Sequence, residues 1–133
     1  MGLYYIDASA AVKLLREEEH SKSFAAFYDT RATSSWVSSD LLRIELIRAV
    51  SRVLPAMLPN ARELVLAFDY VGIDDDIVDA AMNEPDRTLR SLDAIHLATA
   101  RVLGEELDGF VTYDDRLAAA VTDAGFTVIS PRD

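Results

Sequence analysis

The 133-residue chain contains no cysteine. Disulfides, zinc–thiolate sites, iron–sulfur clusters and a thiol nucleophile are thereby excluded, and a reducing cytosol is the natural compartment. Positive charge is scarce: 13 Lys and Arg oppose 23 Asp and Glu, for a net charge of −10, and Lys13 and Lys22 are the only lysines. That balance disfavours loose electrostatic adhesion to nucleic acid, so a phosphate-bearing ligand has to be met by local positive charge or by a bound cation. No apolar run approaches the roughly 18 residues of a membrane helix. The opening residues Met1-Gly2-Leu3-Tyr4-Tyr5-Ile6-Asp7 lack a basic leader and soon reach a carboxylate, the wrong pattern for a signal peptide. Position six is Ile6 rather than Ser or Thr, so the myristoylation pattern is missing as well. The expectation is one cytoplasmic domain over 1–133, since about 100 to 150 residues suffice for a single core.

What the chain does have is alternation. Leu3 to Ile6, Thr33 to Val37, Tyr70 to Ile73, Gly109 to Thr112 and Phe126 to Ile129 are short apolar runs that read as strands. Between them, helical spacing predicts Ser9–Glu18, His20–Thr30, Leu41–Leu54, Asn60–Asp69, a helix from Asp74 or Asp75 to Met82, Ser91–Leu103 and Asp114–Ala124. Ser39 or Asp40 is placed to cap the Leu41 helix, Pro55 and Pro59 interrupt it, and Gly104 and Gly125 stop the later ones. Strand–helix alternation from end to end argues for an α/β fold with a parallel sheet covered on both faces. Ligands of such sheets bind beyond the carboxyl ends of the strands.

Carboxylates gather at those ends. Asp7 directly follows the first strand and Asp114 follows the fourth by one residue; both also sit where a helix needs an N-cap, and Asp115 can serve either role. Asp93 lies on a segment apolar nearly all round, where an isolated charge needs a partner, although first-turn dipole stabilisation after a Ser91 cap also accommodates it. His96, three residues on, reads as a core histidine that hydrogen-bonds locally. Glu45 borders the apolar face of Leu42, Leu46 and Val53, and an ordinary helical pair with Arg48 explains it equally well. Taken together, Asp7, Glu45, Asp93 and Asp114 form an oxygen-only set that suits Mg2+ or Mn2+. Crowded carboxylates hold protons more tightly unless a cation neutralises them, and the chemistry such a cation supports is metal-assisted phosphoryl transfer.

The strand leading into Asp7-Ala8-Ser9, the helical Glu45, the segment Arg90-Ser91-Leu92-Asp93-Ala94-Ile95-His96-Leu97-Ala98, and Val111-Thr112-Tyr113-Asp114 closely resemble PIN-domain ribonucleases of the VapC toxin type along the entire chain. The resemblance implies a three-layer fold with a five-stranded parallel sheet in order 3-2-1-4-5, which sets Asp7 and Asp114 on adjacent strands. It implies endonucleolytic cleavage of RNA dependent on Mg2+ or Mn2+, a homodimer, and inhibition by a cognate VapB-type antitoxin. Carried over by position, Asp7, Glu45, Asp93 and Asp114 form the acidic metal site. Ser9 and Thr112 support carboxylates or water there, and Arg90 contacts RNA phosphate or an acidic neighbour. Family members often carry a basic residue where this chain has Asp115, leaving open whether Asp114 or Asp115 faces the metal. The stripe Phe24, Phe27 and Tyr28 and the apolar excess of Leu41 to Leu58 are candidate partner surfaces, with core packing as the alternative.

Other classes fit less well. A receiver-type phospho-signalling domain needs an acidic pair after the first strand and a lysine after the last, whereas Ala8 follows Asp7 and the tail Ser130-Pro131-Arg132-Asp133 has no lysine. A haloacid-dehalogenase-type phosphatase needs an Asp at position nine, which is Ser9, and no glycine-rich phosphate loop is present. A PIN-like binding module without catalysis remains as the alternative of a different class.

Overall fold

A computed structural model describes residues 2–133; Met1, the first residue of the opening read for a leader, lies outside them. Strands β1 (Leu3–Ile6), β2 (Ser35–Ser39), β3 (Asp69–Val71), β4 (Gly109–Val111) and β5 (Val128–Ile129) form one sheet, all neighbours parallel, in order β3-β2-β1-β4-β5. The strand alternation divides the core in two. Ile6, Trp36 and Val111 face one side, where α1 (Ala8–Ala11), α2 (Ser21–Thr30), α3 (Leu41–Val53) and α4 (Leu58–Leu64) bring Ala10, Phe24, Leu42, Leu46 and Ala61. Tyr5, Val37 and Phe110 face the other, against Leu97 and Ala100 of α6 (Ser91–Leu103) and Leu117 and Val121 of α7 (Asp115–Asp123). The remaining helix, α5 (Asp75–Met82), packs beside α6. Period-two strands sandwiched by helices on both faces are what the short, nearly continuous apolar runs predicted.

Several boundaries differ from the sequence reading. The helix predicted over Ser9–Glu18 is one α-turn followed by a 3-10 turn, Val12–Leu14. Side chains end it: Ser21 Oγ donates to the Arg16 carbonyl and accepts from the Glu18 amide, and Lys13 Nζ binds Glu18 and the Glu19 carbonyl. Such local bonds compete with the helical ladder. The second strand begins two residues later than expected, and α4 starts at Leu58 with Pro59 in its first turn, where a missing N–H is harmless. Leu41 N donates to Ser39 Oγ, so Ser39 rather than Asp40 supplies the cap for α3. Helix α6 is apolar nearly all round yet not buried on every side, for Leu92 and Val102 are exposed while Ala94 and His96 to Ala100 are buried. The aromatic stripe belongs to the core: Phe24 is buried, and Phe27 and Tyr28 pack against Trp36.

Candidate functional site

The register places β1 against β4 with Ile6 opposite Val111, so the residues that follow, Asp7 and Thr112, meet just past the carboxyl edge of the sheet. Thr112 Oγ1 donates to Asp7 Oδ2 at 2.5 Å. Asp7 Oδ1 accepts from Ser9 Oγ at 2.7 Å and from the Ala10 amide at 3.1 Å, which caps α1. Ser9 Oγ in turn accepts from the Tyr113 amide, and Thr112 Oγ1 accepts from the Asp114 amide at 3.1 Å. The Asp7 carboxylate is thus buried and clasped by three donors. Burial nevertheless pushes its carboxyl above the usual range, outweighing the bonds from Thr112, Ser9 and Ala10 and the pull of His96.

Asp114 caps α7 through Oδ1, which accepts from the Leu117 amide at 3.0 Å. The capping role foreseen for Asp7 and Asp114 is therefore real, and it coexists with convergence, because one carboxylate oxygen suffices for the cap. Asp115 is exposed in the first turn of α7. Asp93 is half-buried in the first turn of α6. Its carboxyl is raised, first by burial and then by the charge of Asp114, with Asp7 and Glu45 adding repulsion and His96 opposing them. Asp7, Glu45 and Asp114 thus all lie near enough to Asp93 for their charge to act on its carboxyl.

The expected Ser91 cap is not formed, since Arg90 occupies the cap position of α6 without a side-chain bond. Arg90 is exposed one turn before Asp93. The Glu45–Arg48 pair is absent among the described residues; Glu45 Oε1 instead meets His96 Nε2 at 2.6 Å. His96 is buried and hydrogen-bonded, as a core histidine should be, but one partner is a candidate site acid and the other is Tyr5, whose hydroxyl lies 2.6 Å from Nδ1. Sequence reasoning did not single out Tyr5. The available signal was the i, i+3 spacing of Asp93 and His96.

Among the described residues no three acids or histidines stand close enough to form a finished coordination shell. Ionised carboxylates without a counter-charge repel one another, and Mg2+ retains several waters and takes only one or two carboxylates directly, so a preformed cage is not required. The donor set fits such an ion: it is all oxygen, it is partly desolvated, and its raised carboxyls mark a deficit of positive charge. A site of this kind can bind a hard divalent cation and, through it, a phosphodiester.

The PIN domain family model matches residues 4–122. Ribonuclease VapC35 of Mycobacterium tuberculosis is 40% identical over 131 residues, which are 97% of either chain. Among solved structures, the M. tuberculosis VapC20 toxin, described as cleaving the sarcin-ricin loop, superposes with a TM-score of 0.78 at 15% identity, covering 96% of this chain and 99% of that one. DNA-bound VapBC from Salmonella typhimurium gives 0.73 at 14% identity with 98% of each chain covered. These distant structures share the fold, and the full-length kinship with VapC35 goes further. The chain belongs to the PIN-domain family, among the VapC ribonucleases.

Proposed function

We propose that this single PIN domain is an endoribonuclease toxin that depends on Mg2+ or Mn2+ and is silenced by a VapB-type antitoxin in the cytoplasm. The observation that carries the reading is the convergence of Asp7, Glu45 and Asp114 on Asp93 beyond the sheet edge, each of the three raising its carboxyl. Relatives named ribonucleases support RNA as substrate. A bound divalent cation supplies charge neutralisation at the phosphate and a lowered pKa for attacking water. Asp7, Glu45, Asp93 and Asp114 would hold that cation. Ser9 and Thr112 fix the Asp7 rotamer through both of its oxygens, and Asp115 stays outside as a surface support. Arg90, exposed at the start of α6, meets a backbone phosphate of the RNA.

The solved VapBC complexes support an antitoxin partner. Its place is the apolar groove of about 160 Å3 lined by Val12, Leu15, Ala49, Val50, Val53 and Leu54, not the aromatic stripe, which is spent on the core. The net charge of −10 favours a basic inhibitory segment. No helix among the described residues is long and apolar enough to cross a membrane. A homodimer completes the proposal, to be checked by light scattering. The deciding experiment incubates purified protein with total RNA. Discrete fragments that vanish with EDTA and return with Mg2+ or Mn2+ are expected; cleavage by a pure preparation without divalent metal refutes the mechanism.

A further inference from the structure

Four elements meet in one hydrogen-bonded chain beside the acidic site. Tyr5, fully buried in β1 and stacked on Phe110, carries its hydroxyl to His96 Nδ1 at 2.6 Å and receives the Ser39 amide at 3.1 Å. His96, on α6, turns its other nitrogen to Glu45 Oε1 on α3 at 2.6 Å. A carboxylate oxygen only accepts, so Nε2 bears the hydrogen that points at Glu45; a bare nitrogen there would set its lone pair against the carboxylate oxygen. The Tyr5 hydroxyl, which accepts from the Ser39 amide, is the partner of Nδ1.

We propose that Tyr5 and His96 are positioning residues for the RNA-cleaving site: they hold Glu45 in one rotamer, with Oε1 committed to the imidazole and Oε2 free to face the other three carboxylates. This rests on the nuclease reading above. Neither residue touches substrate. Tyr5 lies two positions before Asp7, on the strand that leads into it, and His96 three after Asp93 on the same helix, so the segments that present two site acids also bear the clamp on a third. Conserving the geometry of an outer partner of this kind is worth about 10- to 100-fold in metal affinity.

The test begins with the metal-free wild type, whose imidazole 15N shifts report the tautomer directly. The proposal requires a protonated Nε2; a ring protonated at Nδ1 alone overturns it, and no variant has to fold for that result. Mn2+ affinity is then measured by calorimetry on wild type, His96→Leu, His96→Gln and Tyr5→Phe, with circular dichroism confirming each fold. His96→Leu should weaken Mn2+ binding about 10- to 100-fold, with kcat on RNA falling while KM stays unchanged. His96→Gln, whose amide nitrogen reaches the position of Nε2, should recover most of the loss. In a Glu45→Gln background His96→Leu should cost nothing further. Unchanged Mn2+ affinity and kcat in a folded His96→Leu variant refute the positioning role alone, whereas a wild type that neither binds Mn2+ nor cuts RNA refutes the nuclease reading beneath it.

Discussion

Replacing Asp7 by asparagine is expected to make the protein inactive and, without metal at neutral pH, more stable. Asp7 pays for its position through desolvation, which raises its carboxyl above the ordinary range. At pH below the unfolded-chain value of about 3.9, both states are protonated and the fold carries no penalty. As pH rises through the higher folded value, both states ionise and the folded one bears the cost of a buried charge, so stability is lost across that window and stays low at pH 7. Asparagine never charges. Its amide oxygen accepts from Ala10 and Ser9 as before, and its nitrogen donates to Thr112 Oγ1, whose own proton turns to Ser9 Oγ at 3.3 Å. Each tenfold excess in proton affinity is worth about 1.4 kcal/mol. An unfolding entropy of about 2.1 cal/mol/K per residue converts that into about 5 °C of Tm for 133 residues. Thermal melts in EDTA should therefore show Asp7→Asn above wild type at pH 7.5, by about 5 °C for each tenfold excess, and level with it near pH 3. Saturating Mn2+ should reverse the order, since a ligand at 100 times its Kd adds about 2.7 kcal/mol to the form that binds it. A variant that melts below wild type at pH 7.5 in EDTA, or a difference that ignores pH, would refute the reasoning.

The surrounding bonds yield further expectations. Thr112→Val removes the donor to Asp7 Oδ2 and strands the Asp114 amide, so urea unfolding should show a loss of about 1 to 3 kcal/mol with an unchanged slope, together with slower RNA cleavage. Asp114→Asn removes the charge that most raises Asp93 after burial, so an NMR titration should find the Asp93 carboxyl shifted down toward its ordinary range. Gly109→Ala puts a Cβ into Ile129 Cδ1, with Cγ1 at 3.1 Å and Tyr4 Cδ1 at 3.3 Å, at the junction of β4 with β1 and β5. Overpacking there should cost about 1 to 3 kcal/mol in chemical denaturation.

Much of this architecture is legible in the sequence, because its signals are local. Leu3 to Ile6 followed by a carboxylate, and the Ser91 helix closed by Gly104, were readable from hydrophobic period and punctuation alone. The strand order was not; spacing leaves open which strands are neighbours, and only the family resemblance supplied 3-2-1-4-5. The helix predicted to Glu18 fails because Ser21, from beyond it, bonds the Arg16 carbonyl and the Glu18 amide, an arrangement invisible to periodicity. Glu45 shows the same limit at the site. Its helical neighbour Arg48 was the obvious partner, but the real one, His96, lies 51 residues away and is presented only once α6 packs on the sheet. Tyr5 escaped notice because a tyrosine in a strand is ordinary, and its role exists only through β2 and α6.

The most direct test of the central claim is inducible expression of the chain in a bacterial host, beside an Asp93→Asn control, with growth and the 5′ ends of total RNA measured together. The account predicts arrest and a small set of discrete new RNA ends in the wild type alone. Equal growth with intact RNA in both strains, the soluble protein present in each, or identical cleavage by the Asp93→Asn variant, would contradict it.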